Sequence, residues 1–216
     1  MVAYTVLETM PSLSSPEEEI SYKNQCISEG MFAHVSLEWV KPLADWIGDK
    51  KCLEVLAGRG FLAKALSEEG VSIVASDNYS LFESEECQEA GTRKKLNISM
   101  NLKPVFDIKK EDALTAIRNY GKDSSVLIIS WPYEGPMAAA IVEEFYKVVS
   151  DPDNAWVIYI GEFGCESRTA NDTFFEMMEW EEDDDDFEEA SSNYTPFVYN
   201  KDSLNLGILN KDFRRR

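Results

Sequence analysis

Apolar residues fall along this chain in two rhythms. Continuous runs of strand length occur as CLEVLA from Cys52, VSIVAS from Val71, Val105 to Lys109, SSVLIIS from Ser124 and AWVIYI from Ala155. Between them lie segments of helical spacing. Phe61 to Glu69 has helix-forming composition and stops at Gly70. After Pro136, which is placed to start a helix, Met137, Ile141, Phe145 and Val148 recur every three or four residues and predict one buried stripe. Val35 to Ile47 predicts a leading helix that packs Leu37, Val40, Leu43 and Trp46. Near the end, TPFVYN and SLNLGIL predict two short strands around the turn residues Lys201-Asp202, a closing hairpin. Strands that alternate with helices imply a parallel sheet covered on both faces. The expected fold is therefore α/β, a doubly wound, mostly parallel, seven-stranded sheet with a C-terminal antiparallel hairpin. Residues 1–20 are expected as a loosely held arm and residues 21–216 as a single domain, which the length of 216 residues suits.

The stretch from Lys51 to Asp77 carries the most chemistry. It reads as strand, glycine turn, helix and strand, with Gly58-Arg59-Gly60 at the turn and Asp77 at the tip of the second strand. Glycines there would let the backbone approach a ligand, and the following helix offers free N–H groups. An acid at the second strand tip can accept both hydroxyl protons of a ribose. Gly58 to Ala63 matches the dinucleotide fingerprint G-x-G-x-x-G/A, a short pattern that also fits a turn with no ligand at all. The longer run Glu54-Val55-Leu56-Ala57-Gly58-Arg59-Gly60 resembles motif I of the class I S-adenosylmethionine-dependent methyltransferases, with Leu56 where that family usually has its first glycine. This resemblance implies a Rossmann-like methyltransferase fold that binds S-adenosylmethionine through Glu54, Ala57, Gly58, Gly60, Asp77 and Asn78.

Two further loops extend the resemblance. Asp112-Ala113 follows the third strand, where the family typically turns an acid and a small residue toward the adenine amino group; Asp112 before Ala-Leu-Thr-Ala is equally a helix cap. Ser130-Trp131-Pro132-Tyr133 follows the fourth strand and is similar to the (Asp/Asn/Ser)-Pro-Pro-(Tyr/Phe/Trp) motif of amino-group methyltransferases, with Trp131 replacing the first proline. By that resemblance Ser130 and the Pro132 carbonyl accept hydrogen bonds from a target amine while Tyr133 stacks on its planar group. A rigid aromatic turn is the alternative. Glu162, after the fifth strand, is a candidate acid or base, or a cap for a helix around Asp172 to Met178. His34 is the only histidine and is expected as a surface or capping residue.

Charge narrows the partners. The net charge is −19, with nine acids between Glu179 and Glu189 in EWEEDDDDFEE, which is expected as a solvated, mobile loop and offers a patch for a basic partner. That balance argues against duplex nucleic acid, which is bound mainly through lysine and arginine. Cys26, Cys52, Cys87 and Cys165 are scattered with no C-x-x-C pair, so reduced thiols, a cytoplasmic setting and no metal site are expected. No apolar run approaches the roughly 20 residues of a membrane helix, and the first residues do not read as a secretory signal. The expected activity is S-adenosylmethionine-dependent methylation of a nitrogen or oxygen on a small molecule or protein. The competing expectation is a noncatalytic interaction protein of the same fold whose acidic run binds a basic partner.

Overall fold

The computed structural model describes residues 3–83, 98–99, 101–164 and 169–213. Its centre is one seven-stranded sheet. In chain order the strands are β1 (Cys52–Val55), β2 (Ile73–Ser76), β3 (Ile108–Lys109), β4 (Val126–Ser130), β5 (Trp156–Glu162), β6 (Met178–Trp180) and β7 (Asp202–Leu209). They lie side by side in the order β3-β2-β1-β4-β5-β7-β6. The pairs from β3 through β5 are parallel, and β7 runs antiparallel to both β5 and β6. The chain builds outward from β1 to β3 and then returns beside β1 with β4, so the strand order reverses between β1 and β4. Open α/β sheets bind ligands outside the carboxyl ends of strands at such a reversal.

Two apolar layers sandwich the sheet. Cys52, Val126, Ile128, Ile158 and Leu206 face one core, covered by α2 (Leu37–Ile47), α3 (Phe61–Glu68) and α8 (Asp185–Asn193). Leu53, Val55, Leu127, Ile129 and Val157 face the other, covered by α5 (Ala113–Tyr120), α6 (Met137–Val148) and α7 (Asp172–Met177). The alternation follows from the two-residue repeat of a strand buried on both faces. Ile141 and Phe145 of α6 are buried as the spacing predicts, but Met137, expected in the same stripe, is 46% exposed in the first turn.

Besides Met137, four segments of the fold differ from the sequence expectations. The third strand keeps only Ile108 and Lys109 of the expected Val105 to Lys109, because the Val105 N–H turns away to donate to the Arg59 carbonyl at 2.9 Å. The partner of β7 in the closing hairpin is β6 and not TPFVYN, where Pro196 lacks an N–H and Phe197 leaves the sheet to pack against Tyr22 and His34.

The acidic run is folded in part. Met178 and Trp180 turn inward from β6, and Asp184 caps α8 by accepting the Phe187 N–H at 3.0 Å. Asp185, Asp186 and Glu188 in the first turn complement the positive end of that helix. Phe187 is buried with its ring 5.4 Å from that of Trp46, whose indole N–H donates to Asp184 at 3.0 Å. The helical repeat of Phe187 and Ala190 was hidden by the charge around it.

The fourth difference is the N-terminal arm, which is docked. The Leu7 and Glu8 carbonyls accept the Leu37 and Glu38 N–H groups at 2.8 and 2.9 Å, satisfying donors at the open start of α2. Val6 is buried, and the Tyr4 ring packs edge-on to Phe61 at 4.7 Å. Helix α1 (Pro16–Ser28) follows, capped by Ser15.

Phe187 tests whether α8 belongs to the core. Replacing it with alanine opens a cavity beneath α8 and is expected to cost about 3 to 5 kcal/mol in urea unfolding. A loss below about 0.5 kcal/mol, the range of an exposed substitution, would return the acidic run to a surface loop.

Candidate functional site

The loop after β1 is built by tight backbone geometry. Leu56 has φ 58°, a conformation that costs a non-glycine residue of order 1 kcal/mol, so the backbone keeps a glycine-like shape where the residue is leucine. Gly58 (φ 54°) donates its N–H to Asp77 Oδ2 at 2.8 Å, while Asp77 Oδ1 accepts the Tyr79 N–H at 2.7 Å. One carboxylate thus joins the loops that follow β1 and β2. Ala57 donates to the Ser76 carbonyl at 3.0 Å and accepts the Gly60 N–H at 2.8 Å, completing the turn into α3.

The two glycines face protein. A Cβ at Gly60 would come within 2.5 Å of Ile108 Cδ1 and 2.9 Å of Phe106 Cβ, so this glycine serves the close packing of the segment that leads into β3. Gly58 has more room, with the ring of Phe82 in the short helix α4 (Ser80–Glu83) at 3.8 Å and the Gly30 carbonyl at 3.9 Å from the position of a Cβ. Between them Arg59 is nearly buried. It donates Nε to the Lys103 carbonyl and Nη1 to the Glu29 carbonyl, each at 2.7 Å, and lies over the Phe61 ring. Asn78 is exposed and accepts the Ser80 N–H at 2.9 Å in a local turn. Asp112 caps α5, accepting the Thr115 hydroxyl at 2.6 Å and the Thr115 N–H at 3.1 Å; these bonds hold its carboxyl below the usual range. Ala113 is buried in the core beneath it.

Polar atoms without partners gather at the carboxyl ends of the three central strands. Glu54 Oε2 in β1, Ser76 Oγ at the end of β2 and Ser130 Oγ at the end of β4 are each buried and make no hydrogen bond. Register places Val55 beside both Ser76 and Ile129, so the three residues reach the same edge, with Glu54 and Ser130 turned to the face covered by α2 and Ser76, level with Val55, to the other. Burial pushes the Glu54 carboxyl up to about 8; Asp77 adds to the rise, and the Ala63 N–H opposes it. Left-handed backbone marks the same edge, at Leu56 after β1, Tyr79 after β2 and Trp131 after β4. Buried polar groups are seldom left unpaired, and strain collects where surrounding structure enforces it.

The loop after β4 leads to a second polar group. Trp131 (φ 50°) donates its N–H to the Ile160 carbonyl at 2.7 Å and rests its indole against the core covered by α2. The indole N–H is buried without a hydrogen-bond partner, and in the same core the Tyr194 hydroxyl donates to Asp202 at the start of β7. Asp202 is 4% exposed, its carboxyl is raised by burial, and it stands opposite Glu162 in the sheet. Lys23 of α1 reaches over to this end, donating to Asn200 Oδ1 at 2.6 Å and the Val198 carbonyl at 2.9 Å. Pro132 is buried, and Tyr133 is 42% exposed.

Glu162 does not cap α7, since Asn171 does so by accepting the Phe174 N–H at 3.2 Å. Contrary to the surface expectation, His34 is 2% exposed between the rings of Tyr22 and Phe197, and burial lowers its pKa to about 4. Arg59, Tyr194, Asp202 and Lys23 were missed by sequence reasoning. Only Arg59 carried a signal, as the charged residue between two turn glycines. Cys87, Cys165 and Arg214 to Arg216 lie outside the described residues. Among the described residues no group of histidine, cysteine or carboxylate side chains is arranged to hold a metal ion, and no helix is long and apolar enough to cross a membrane.

No protein-family profile matches the chain, and no curated protein matches it by sequence. Solved structures share its path at low identity. MtNAS in complex with MTA and tNA is similar with 12% identity and a TM-score of 0.49 over 91% of this chain, which spans 66% of MtNAS. The magnesium protoporphyrin IX methyltransferase of Synechocystis PCC 6803 with bound SAM gives 12% identity and a TM-score of 0.47 over 93% of this chain and 86% of its own. The mitomycin 7-O-methyltransferase MmcR gives 13% and 0.47 over 91% and 59%. The fold rests on the strand order and register above, and these are the sheet that the motif I resemblance implies.

Glu54 and His34 set opposite pH dependences. A carboxyl raised from 4.5 to about 8 binds a proton more tightly in the folded state, so its contribution is most favourable below 4.5 and declines as pH rises toward 8. A histidine lowered from 6.5 to about 4 contributes stability above 6.5 that is lost as pH falls toward 4. Glu54→Gln is expected to raise stability at pH 7 by about 3 kcal/mol and to unmask the His34 slope: the wild type, in which the two groups offset each other between 4.5 and 6.5, declines from 6.5 to 8, whereas the variant gains stability from 4.5 to 6.5 and is flat above. Urea unfolding across that range checks it, and an unchanged profile would mean that Glu54 is not the buried acid responsible.

Proposed function

We propose that this protein binds S-adenosylmethionine at the carboxyl ends of β1 and β2 and transfers its methyl group to a nitrogen or oxygen of a small molecule or protein. The observation that carries this reading is the pair of buried, unpartnered Glu54 and Ser130 oxygens on one face of the sheet, with that of Ser76 on the other, beneath three left-handed loop positions at the same edge. The donor set fits the cofactor. Each Asp77 oxygen accepts a backbone N–H, and a carboxylate at the tip of β2 is the acceptor type that ribose hydroxyls need. The free Glu54 oxygen suits a cationic group, whose arrival would ionise the carboxyl and release a proton.

When bound, the sulfonium supplies an electrophilic methyl carbon. The chain's own task is to align the acceptor and exclude water. Ser130 Oγ and the Pro132 carbonyl would accept hydrogen bonds from an amine, and the exposed Tyr133 ring offers a stacking plane. Glu162 opposite Asp202 is the candidate proton acceptor on this side.

A second reading, a noncatalytic scaffold whose acidic run meets a basic partner, is favoured by the Phe82 ring and Gly30 carbonyl that stand against Gly58.

Isothermal titration with S-adenosylhomocysteine separates the two readings. Wild type is expected to bind, and Asp77→Asn, which keeps one carbonyl oxygen for the loop, is expected to bind more weakly by about 1 to 3 kcal/mol. Tyr133→Ala should leave this affinity intact while reducing methyl transfer. A folded wild type that binds neither S-adenosylhomocysteine nor S-adenosylmethionine would favour the scaffold.

A further inference from the structure

The N-terminal arm and α1 enclose a half-open cleft of about 160 Å³, walled by Tyr4, Leu7, Tyr22, Cys26, Glu29 and Met31. It is close in size to an engineered cavity of roughly 150 Å³ that holds benzene. Its chemistry points to positive charge. Tyr4 and Tyr22 present aromatic rings, Cys26 and Met31 form a buried, polarisable floor, and the remaining members, Thr5 and Gln25, are uncharged. Glu29 is the charged member of this lining, and no lysine or arginine belongs to it among the described residues.

Tyr22 and Cys26 lie one helical turn apart on α1, so the ring and the thiol share the face of the helix that walls the cleft. Burial raises both phenols, Tyr4 to about 12, and the neighbouring Cys26 and Glu29 raise them further. Burial is the larger cause and opposes any charge, whereas the carboxylate of exposed Glu29 attracts a cation. Arg59, whose guanidinium lies over the Phe61 ring that Tyr4 touches, is outside the lining; its Nε and Nη1 are engaged by the Lys103 and Glu29 carbonyls.

We propose that this cleft binds a small organic cation of the ammonium class, held between the tyrosine rings and balanced by Glu29. The cleft adjoins the loop after β1, since Arg59 holds the Glu29 carbonyl, but its lining includes none of the residues assigned above to S-adenosylmethionine.

Titration calorimetry of the full chain with choline and with its uncharged isostere 3,3-dimethyl-1-butanol tests this. Choline is expected to bind, with the isostere at least tenfold weaker. Glu29→Gln and Tyr22→Leu should each weaken choline at least tenfold, while Asp183→Asn, an exposed acid of the run before α8, should leave it unchanged. Glu29 is exposed, so its substitution reports on binding even if Tyr22→Leu disturbs the packing of α1. Equal binding of the two probes would make the cleft merely apolar and overturn the proposal. So would a wild type that ignores choline, or an Asp183→Asn variant that loses as much as Glu29→Gln.

Discussion

The carboxylate of Asp77 is the tie on which the functional edge depends. By accepting from Gly58 on one side and Tyr79 on the other, it fixes the loops after two neighbouring strands relative to each other. Hydrogen bonds to a charged acceptor are worth more than neutral ones, and here one side chain supplies two of them. The left-handed backbone at Tyr79 and Gly58 flanks these bonds, so the strain and the interactions that sustain it occupy the same few residues.

From that tie the rest of the edge takes shape. Gly60 lets Phe106 and Ile108 close in behind the turn, Arg59 bridges to the ends of the flanking segments, and Glu54 is sealed below with one oxygen unspent. A packed parallel sheet can hold such polar atoms because its helices on both faces exclude water around them. The energy that this costs comes from the two apolar layers.

Much of this was legible in the chain. Continuous apolar runs marked β1, β2, β4 and β5 because strands buried on both faces need no polar alternation, and the glycine turn with its distal acid marked the edge between them. What was hidden has physical reasons. The alternation of Met178 and Trp180 and the repeat of Phe187 and Ala190 were masked by nine acids whose charge reads as solvated, although a helix start and an outward strand face accommodate such charge. His34 and Asp202 are single polar residues whose burial depends on contacts distant in sequence, with Phe197 for one and Tyr194 for the other. The glycines were read as openings for a ligand, whereas Gly60 admits Ile108 from a segment some fifty residues away. Close approach is visible in sequence; the identity of what approaches is not.

Helix α1 crosses the carboxyl edge between two anchors, Lys23 at the β7 end and, just past its last turn, the Glu29 carbonyl held by Arg59 at the β1 loop. In both anchors the cation sits on backbone carbonyl or amide oxygens, acceptors that do not titrate in the range where Glu54 and His34 change charge. The fastening of this cover is therefore decoupled from the acid chemistry beneath it. Protons can be taken up or released at the edge while the two pins over it keep their acceptors.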